Sequence, residues 1–324
     1  MYKKLLLSSL LLSSALFAER WQMKSIYFQT ENDADIRDDA AYSYGGKIGA
    51  LFFRNNIKET LLHIPFSDYK ASDNYISFSF AHKLYTPKDL TQSDVIVGDR
   101  PYAGYMYLQG TLHQVKENSL LSLTTQIGVV GPSSQMESVQ KFIHDLIGSP
   151  YPQGWDNQIK NEFIFQLNFS QKKYYDLEHI YTYSASLIPS YGVELGNTSI
   201  KAYASALFRW GKNVPKDFGS YLINNTDTSK ISLNSTQNKT KKWRYYINFS
   251  LQANTIARNI FLDGNSFRES YSVKKYPLTL DIGYGFSFAY KNFSIDYLRR
   301  HSSKEYKTQK GLYSYGSLLF SYHY

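Results

Sequence analysis

Apolar and polar residues alternate with period two in segment after segment of this chain. In 76–84, Ile76, Phe78, Phe80, His82 and Leu84 share one face, while Ser77, Ser79, Ala81 and Lys83 share the other. In 158–169, Ile159, Phe163, Phe165, Leu167 and Phe169 oppose Gln158, Lys160, Glu162, Gln166 and Asn168. In 243–254, Trp243, Tyr245, Ile247, Phe249, Leu251 and Ala253 oppose Arg244, Tyr246, Asn248, Ser250, Gln252 and Asn254. Strand side chains point alternately to the two faces, so each segment predicts a strand with one apolar and one polar face. The segments are long enough for a tilted strand to cross a bilayer, and longer than a usual soluble strand. Twelve are expected, near 21–30, 42–53, 74–85, 102–115, 119–130, 158–170, 179–191, 200–210, 242–256, 277–290, 293–301 and 312–324. An even number suits a single-chain bacterial barrel.

The connection 131–157 follows another period. Val139, Phe142, Ile143, Leu146 and Ile147 fall at helical spacing, and Gly148 with Pro150 ends the run. Gln140 and His144 stand one turn apart on the opposite face. An amphipathic helix lying over a barrel mouth is expected there.

The N-terminus adds an address. Lys3-Lys4, an apolar run from Leu5 to Phe17 and Ala18 make a secretory signal, with cleavage expected after Ala18. No later apolar run approaches a spanning helix. An exported chain with such strands is either a soluble sandwich, its apolar faces inside, or a membrane barrel, its apolar faces on lipid and its lumen polar. The 30 Tyr among 17% aromatic residues supply interfacial girdles and favour the barrel. So does the last segment: Leu318, Phe320, Tyr322 and Tyr324 alternate with Ser317, Leu319, Ser321 and His323, and this ending resembles the C-terminal strand of bacterial outer-membrane proteins. The fold expected is all-β, a transmembrane antiparallel β-barrel with a short helix in an extracellular loop. Residues 1–18 are the signal and 19–324 the barrel domain.

Composition then narrows the chemistry. Zero cysteine excludes disulfides, thiolate metal sites and a cysteine nucleophile. The net charge of +9 is scattered rather than clustered, so no nucleic acid is expected. No phosphate-binding glycine loop, His-Glu-x-x-His helix or Gly-x-Ser-x-Gly elbow is present.

With the N-terminus periplasmic, odd-to-even connections lie at the outer face, and the unusual clusters gather there. Of seven histidines, His82 lies on an apolar strand face, and His113, His179 and His323 fall near periplasmic ends. His63 is in the long 54–72 connection, and His301 stands in a basic stretch with Arg299, Arg300 and Lys304. His144 alone combines the outer end, a helical support and neighbouring acids and amides. Asn32-Asp33 at a strand end is most often a turn, but its amide and carboxylate oxygens also suit a hard cation. Asp35, Asp38 and Asp39 are expected as solvated loop charges, and Asp99-Arg100-Pro101 as an ion pair with a turn. Two connections, 54–72 and 211–241, are long for periplasmic turns; either they carry extra structure or the strand count fails there.

Taken together, the clusters resemble the outer-membrane lipid A 3'-O-deacylase family. The matching elements are Glu31-Asn32-Asp33, Tyr42-Ser43-x-Gly45, Lys83 with Tyr85-Thr86-Pro87, Gly98 to Gly104 and Gly131-Pro132. They continue with Gln140-x-x-x-His144, Gly154 to Gln158 with Asn161-Glu162, and Asn259 to Asn265. The resemblance implies a twelve-stranded barrel that hydrolyses the ester holding the 3' acyloxyacyl group of lipid A, with calcium. It implies Asn32 and Asp33 at the calcium and oxyanion site, Ser43 as a supporting hydroxyl, and Lys83 as a lumen cation near substrate phosphate or the ester. Gln140 and His144 would be the catalytic helix pair. An acid expected a few positions after the histidine is absent from 148–153. Asp145, Asp156 and Glu162 are candidates for the missing metal ligand, and Glu162, on the lumen face of its strand, is favoured.

In that reading neutral His144 takes a proton from water, and Ca²⁺ at Asp33 polarises the carbonyl. The substrate is lipopolysaccharide in the outer leaflet of the bacterial outer membrane, surrounded by outer-membrane lipid, and the enzyme is expected as a monomer. Two competitors remain: a phospholipase-type Ser43-His144-Asn32 triad, and a small porin barrel without activity.

Overall fold

A computed structural model describes residues 21–33, 41–55, 64, 73–219, 230–233 and 243–324. The expected signal segment, His63 and Asp35, Asp38 and Asp39 lie outside these. The strands are β1 (Gln22–Asn32), β2 (Ala41–Asn55), β3 (Asp73–Thr86), β4 (Ala103–Lys116), β5 (Ser119–Val130), β6 (Glu162–Lys173), β7 (Tyr175–Ile180), β8 (Tyr183–Gly196), β9 (Ser199–Lys212), β10 (Trp243–Asn259), β11 (Leu278–Tyr290), β12 (Phe293–Ser302) and β13 (Tyr313–His323). Two helices matter: α1 (Met136–Ile147) and α2 (Ile260–Asp263). Every neighbouring pair is antiparallel, and β1 pairs with β13, Asn32 opposite Gly316. β6 and β7 run on as one wall strand along β8, with Gln166–Lys172 and then Tyr175–Ile180 as its partners. The wall is thus a closed barrel of twelve strands.

Alternation places the faces as expected. Phe28, Ile48, Phe80, Leu108, Phe163 and Leu280 point outward and are exposed. Inward, Gln109, Thr111, Thr124 and Gln126 form a hydrogen-bonded ladder, and Lys230 pairs with Asp296 at 2.6 Å. An apolar belt outside and a polar, largely hydrogen-bonded interior suit a barrel in a bilayer.

Three expectations change. The sixth strand starts at Glu162, not 158, because Gly154–Asn157 is a 3-10 turn and the Ile159 amide bonds the Tyr102 carbonyl. The seventh spans Tyr183–Gly196, not 179–191, because the hairpin turns at Tyr181 with φ of 56°. Tyrosine also does more than form girdles. Tyr42, Tyr85, Tyr105, Tyr107 and Tyr315 are buried in one cluster inside the outer half of the barrel, with Phe261 of α2 stacked on Tyr85 at 4.1 Å. A girdle exists at the periplasmic end, where Trp243 packs on Tyr290 at 4.3 Å and Tyr183 on Trp210 at 5.8 Å.

The long connection after β9 carries structure, so the strand count holds. Phe218 and Ile231 are buried among Leu51, Phe53, Leu120, Ile188 and Leu207. Arg209 is fully inside, held by Asp217 at 2.5 Å and by the Pro215 and Asp217 carbonyls. The described parts of this segment, 213–219 and 230–233, pack into the periplasmic end, and the aromatic cluster narrows the outer half beside a polar cavity lined by Lys83, Gln126, Gln166 and Glu194. Purified protein in planar bilayers should therefore give no single-channel steps; porin-like conductance would mean that these packed ends open.

Candidate functional site on the outer wall

Helix α1 is placed by a hole in the wall. A Cβ on Gly104 of β4 would stand 2.2 Å from Ser134 Oγ and 2.7 Å from Met136 Cβ, so only glycine lets the start of α1 lie this close. Met136 then packs with Leu84, Leu90, Tyr102 and Trp155, with Tyr44 and Val139 against the cluster. Outward-facing Leu84 and Tyr44 belong to β3 and β2, so the helix lies on the lipid side of the barrel wall. Gly104→Val should displace it. A misplacement of about 1 Å costs on the order of 10²-fold in rate, so turnover should collapse while the folded barrel's heat-modifiable migration on gels stays unchanged.

The helix lies on the outer wall rather than over the mouth, where the sequence reading expects it, and its two faces are as the spacing divides them. Met136, Gln140 and His144 form its buried stripe, whereas Phe142 is 69% exposed, Leu146 75% and Ile147 60%. Most of the apolar stripe faces away from the protein, and Ile127 of β5 and Phe163 of β6 are likewise exposed. A helix with that face uncovered suits the interfacial zone of a membrane. It delivers its polar stripe to the wall.

Both members of the helix pair are held from behind. Trp155, buried in the 3-10 turn, donates from Nε1 to Gln140 Oε1 at 2.8 Å. The helix ends on Gly148, φ 69°, and the Ser149 amide folds back onto the His144 carbonyl at 3.0 Å. That turn brings the Pro150 carbonyl to 2.6 Å from His144 Nδ1. A carbonyl only accepts, so Nδ1 donates in this bond, and in a neutral ring Nε2 is then the nitrogen that accepts. Pro150 occupies the stretch in which an acid was expected, and its backbone oxygen orients the ring.

On the wall, Asn32 ends β1 opposite Tyr44, on the outward face by alternation. Asp33 is the next residue and only 1% exposed. Ser43 sits in a bulge of β2, between the pairs Tyr42–Tyr85 and Tyr44–Leu84, and its Oγ is 2.5 Å from Thr86 Oγ1. These residues and α1 share the outer end of β1–β3. The His144 hydrogen bond to Pro150 uses Nδ1, and the Ser43 hydroxyl meets that of Thr86.

Two predicted residues lie elsewhere. Lys83 is on the lumen side, with Nζ 5.4 Å from the centre of the Tyr107 ring, and the wall separates it from the helix. Glu162 accepts from Asn197 at 2.8 Å, from Asn265 at 3.2 Å and from the Ser266 amide at 2.7 Å. Its oxygens clamp the loop after α2, with β2 to β5 between it and β1. Glu162 is thus a loop anchor, not a partner of Asp33, and among the described residues no three His, Asp or Glu side chains converge as a metal cluster. Asp99-Arg100 is not a pair with itself. Arg100 pairs with Glu305, while Asp99 accepts from the Lys88 amide and Tyr306. Burial opposes the Arg100 charge, and Glu305 together with the Tyr306, Tyr313 and Tyr85 hydroxyls more than offsets it, raising that pKa above its ordinary value. His301 stacks on Tyr284 at 5.5 Å, away from α1.

A family model described as outer membrane protein LpxR matches residues 5–324. The chain belongs to the LpxR family. This is the family of outer-membrane lipid A deacylases that the motifs resembled, and it places the protein in the outer membrane. Among solved structures, LpxR from Salmonella typhimurium is 16% identical with a TM-score of 0.76, covering 93% of this chain and 100% of that one. The β-domain of the Bordetella autotransporter BrkA is 7% identical with a TM-score of 0.45, covering 94% and 99%. No curated protein sequence matches the chain. Within the LpxR family fold, Trp155 and Pro150 are the residues that sequence reasoning missed as supports of Gln140 and His144. The signal for Trp155 was present, since the Gly154–Gln158 motif has no role unless it packs on something.

Proposed function

We propose that this protein hydrolyses the ester linking the 3' acyloxyacyl group to lipid A, with His144 as the general base. The observation that carries the reading is the placement of His144. Its ring is oriented by a backbone carbonyl, on the lipid side of the wall, under a helix whose other face is apolar and exposed. A base inside a sealed lumen meets no lipid; one on the outer wall meets the acyl esters of the outer leaflet. Neutral Nε2 takes a proton from water as it attacks the ester carbonyl, and returns it to the departing sugar oxygen when the tetrahedral intermediate collapses. Gln140, tied by Trp155, acts as a positioning residue that fixes the helix register.

The oxygen set near the carbonyl suits calcium: one buried carboxylate, Asp33, with the Asn32 amide and Ser43 hydroxyl close in sequence and register. A bound Ca²⁺ would supply positive charge for the oxyanion. Ser43 is held by Thr86, which supports its reading as a supporting hydroxyl rather than a nucleophile. Lipid A from cells with and without the protein should differ by the mass of one acyloxyacyl group in mass spectra. Unchanged lipid A in cells holding folded protein in the outer membrane would reject the activity.

A further inference from the structure

The opposite end of the wall carries a second lipid-facing cluster. At the periplasmic ends of β8, β9 and β10, Tyr183 and Tyr245 both stand opposite Lys212, one on each side of it. Paired residues share a face, and the two tyrosines, 39% and 43% exposed, place all three on the outward one. The tyrosine hydroxyls meet at 3.3 Å over the strand that carries the lysine. Trp210, two residues before Lys212, packs on Tyr183. On the other flank Trp243 of β10 packs on Tyr290 of β11, and Lys291 follows at the tip of the hairpin to β12. The Lys291 ammonium stands 5.3 Å from the centre of the Tyr290 ring. Neighbouring strands lie about 4.8 Å apart, so the two lysines are two strand spacings from each other.

The charge of this cluster is not balanced from within. Among the described residues neither Lys212 nor Lys291 has a carboxylate partner, and β8 to β12 place no acid on the outward face of this end. The acids nearby in the fold are turned elsewhere. Asp296 of β12 meets Lys230 inside the barrel at 2.6 Å, Asp217 holds Arg209, and Asp176 of β7 is shared by Lys216 and His179. Towards the middle of the bilayer the same face becomes apolar, with Ile247, Phe286 and Phe288 exposed. Two ammonium groups and two phenol hydroxyls beneath an apolar face match a phosphodiester that carries acyl chains. The ammonium and hydroxyl groups suit the phosphate oxygens, and the rings suit the chains. A headgroup with its own amine brings its own counter-charge. One whose only charge is the phosphate gains most from the two lysines.

We propose that Tyr183, Lys212, Tyr245 and Lys291 form a binding site for a phospholipid with a net negative headgroup, in the periplasmic leaflet of the outer membrane. The site is independent of the acyl-ester reading, because it lies at the far end of the strands from His144 and uses none of the residues assigned to hydrolysis. Two lysines at a membrane surface favour an anionic lipid by on the order of tenfold. Tyrosine and tryptophan rings at the interface hold the lysine stems beside that headgroup.

Tryptophan fluorescence reads the site directly. Trp210 and Trp243 are 49% and 52% exposed, whereas Trp21 and Trp155 are buried, so bromine on lipid acyl chains quenches chiefly the two indoles of this cluster. The protein is reconstituted in phosphatidylcholine bilayers with an equal fraction of brominated phosphatidylglycerol or brominated phosphatidylethanolamine. Wild type should take up phosphatidylglycerol about tenfold in preference to phosphatidylethanolamine. Lys212→Gln/Lys291→Gln should bring that ratio close to unity, with heat-modifiable migration unchanged. Lys116→Gln/Lys173→Gln removes the same charge from β4 and β6, elsewhere on the periplasmic rim, and should keep the wild-type ratio. Equal quenching by the two lipids in wild type, or an unchanged ratio in the Lys212 and Lys291 variant, would overturn the site. An equal fall in both variants would overturn it too, since the preference would then belong to the summed charge of the rim. No lipid is hydrolysed in this measurement, so the fate of the acyl-ester reading does not touch its outcome.

Discussion

His144→Ala should lower turnover of the lipid ester by roughly 10²- to 10⁴-fold, the range a positioned general base supplies. The barrel should be untouched, because His144 belongs to a helix on the outer wall and to none of the buried clusters inside the barrel. Heat-modifiable migration and outer-membrane fractionation check the fold, and release of acyl product checks the rate. His301→Ala should keep near wild-type turnover, since that ring stacks on Tyr284 of the outward surface. Equal losses at both positions would remove His144 from the chemistry. Loss at Ser43→Ala as deep as at His144→Ala, with a trapped acyl-enzyme, would restore the serine triad against the Thr86 contact seen here.

The barrel was legible because period-two alternation is a local property. Phe78, Phe80, Ser77 and Ser79 assign their faces without knowledge of any partner strand, and β1 to β5 fall within two residues of the segments expected. What failed was context. Tyr181 turns a hairpin with positive φ, a job usually given to glycine or asparagine, so nothing local marked it. The helix period was right, and its place over the barrel mouth was not: it lies on the outer wall. Phe142, Leu146 and Ile147 would face a protein core in water, but beside a bilayer the same stripe faces out, and Gln140 and His144 take the buried side. An apolar stripe specifies a preference for apolar surroundings; whether protein or lipid provides them is a tertiary fact.

The site was legible in part for a similar reason. Asn32, Asp33, Ser43 and His144 come to one end because strand parity puts them there, and parity needs only a correct count. Glu162 obeyed the same rule for its strand, yet its oxygens are taken by Asn197, Asn265 and Ser266, contacts between segments far apart in sequence. Lys83 lies on the lumen face as alternation requires, and it is the helix that lies on the other side of the wall. Parity locates a residue around and along the barrel. It does not say on which side of the wall the chemistry takes place.

Asp33→Ala should abolish activity, or raise the calcium needed for half-activity, while the barrel stays folded. Chelation of the wild type should remove activity and calcium should restore it. Carboxylate count sets the affinity of a calcium site, and here Asp33 supplies the charge while Asn32 and Ser43 contribute neutral oxygens. The wild-type dissociation constant is therefore expected to be weak, on the order of 10⁻⁴–10⁻³ M, readable by terbium luminescence on detergent-solubilised protein without any turnover. Asp33→Asn keeps the shape and the hydrogen-bonding oxygen but loses the charge, so it should bind calcium far more weakly and stay nearly as inactive as Asp33→Ala. Glu162→Ala should separate a loop anchor from a ligand. It frees the Asn265 and Ser266 donors and loosens the loop after α2, so thermal stability should fall, but the calcium needed for half-activity should not move. A shift in that calcium requirement on Glu162→Ala would put Glu162 back among the ligands. Full activity in excess chelator, with Asp33→Ala behaving as wild type, would leave the oxyanion to be stabilised by hydrogen bonds from Asn32 and Ser43 alone.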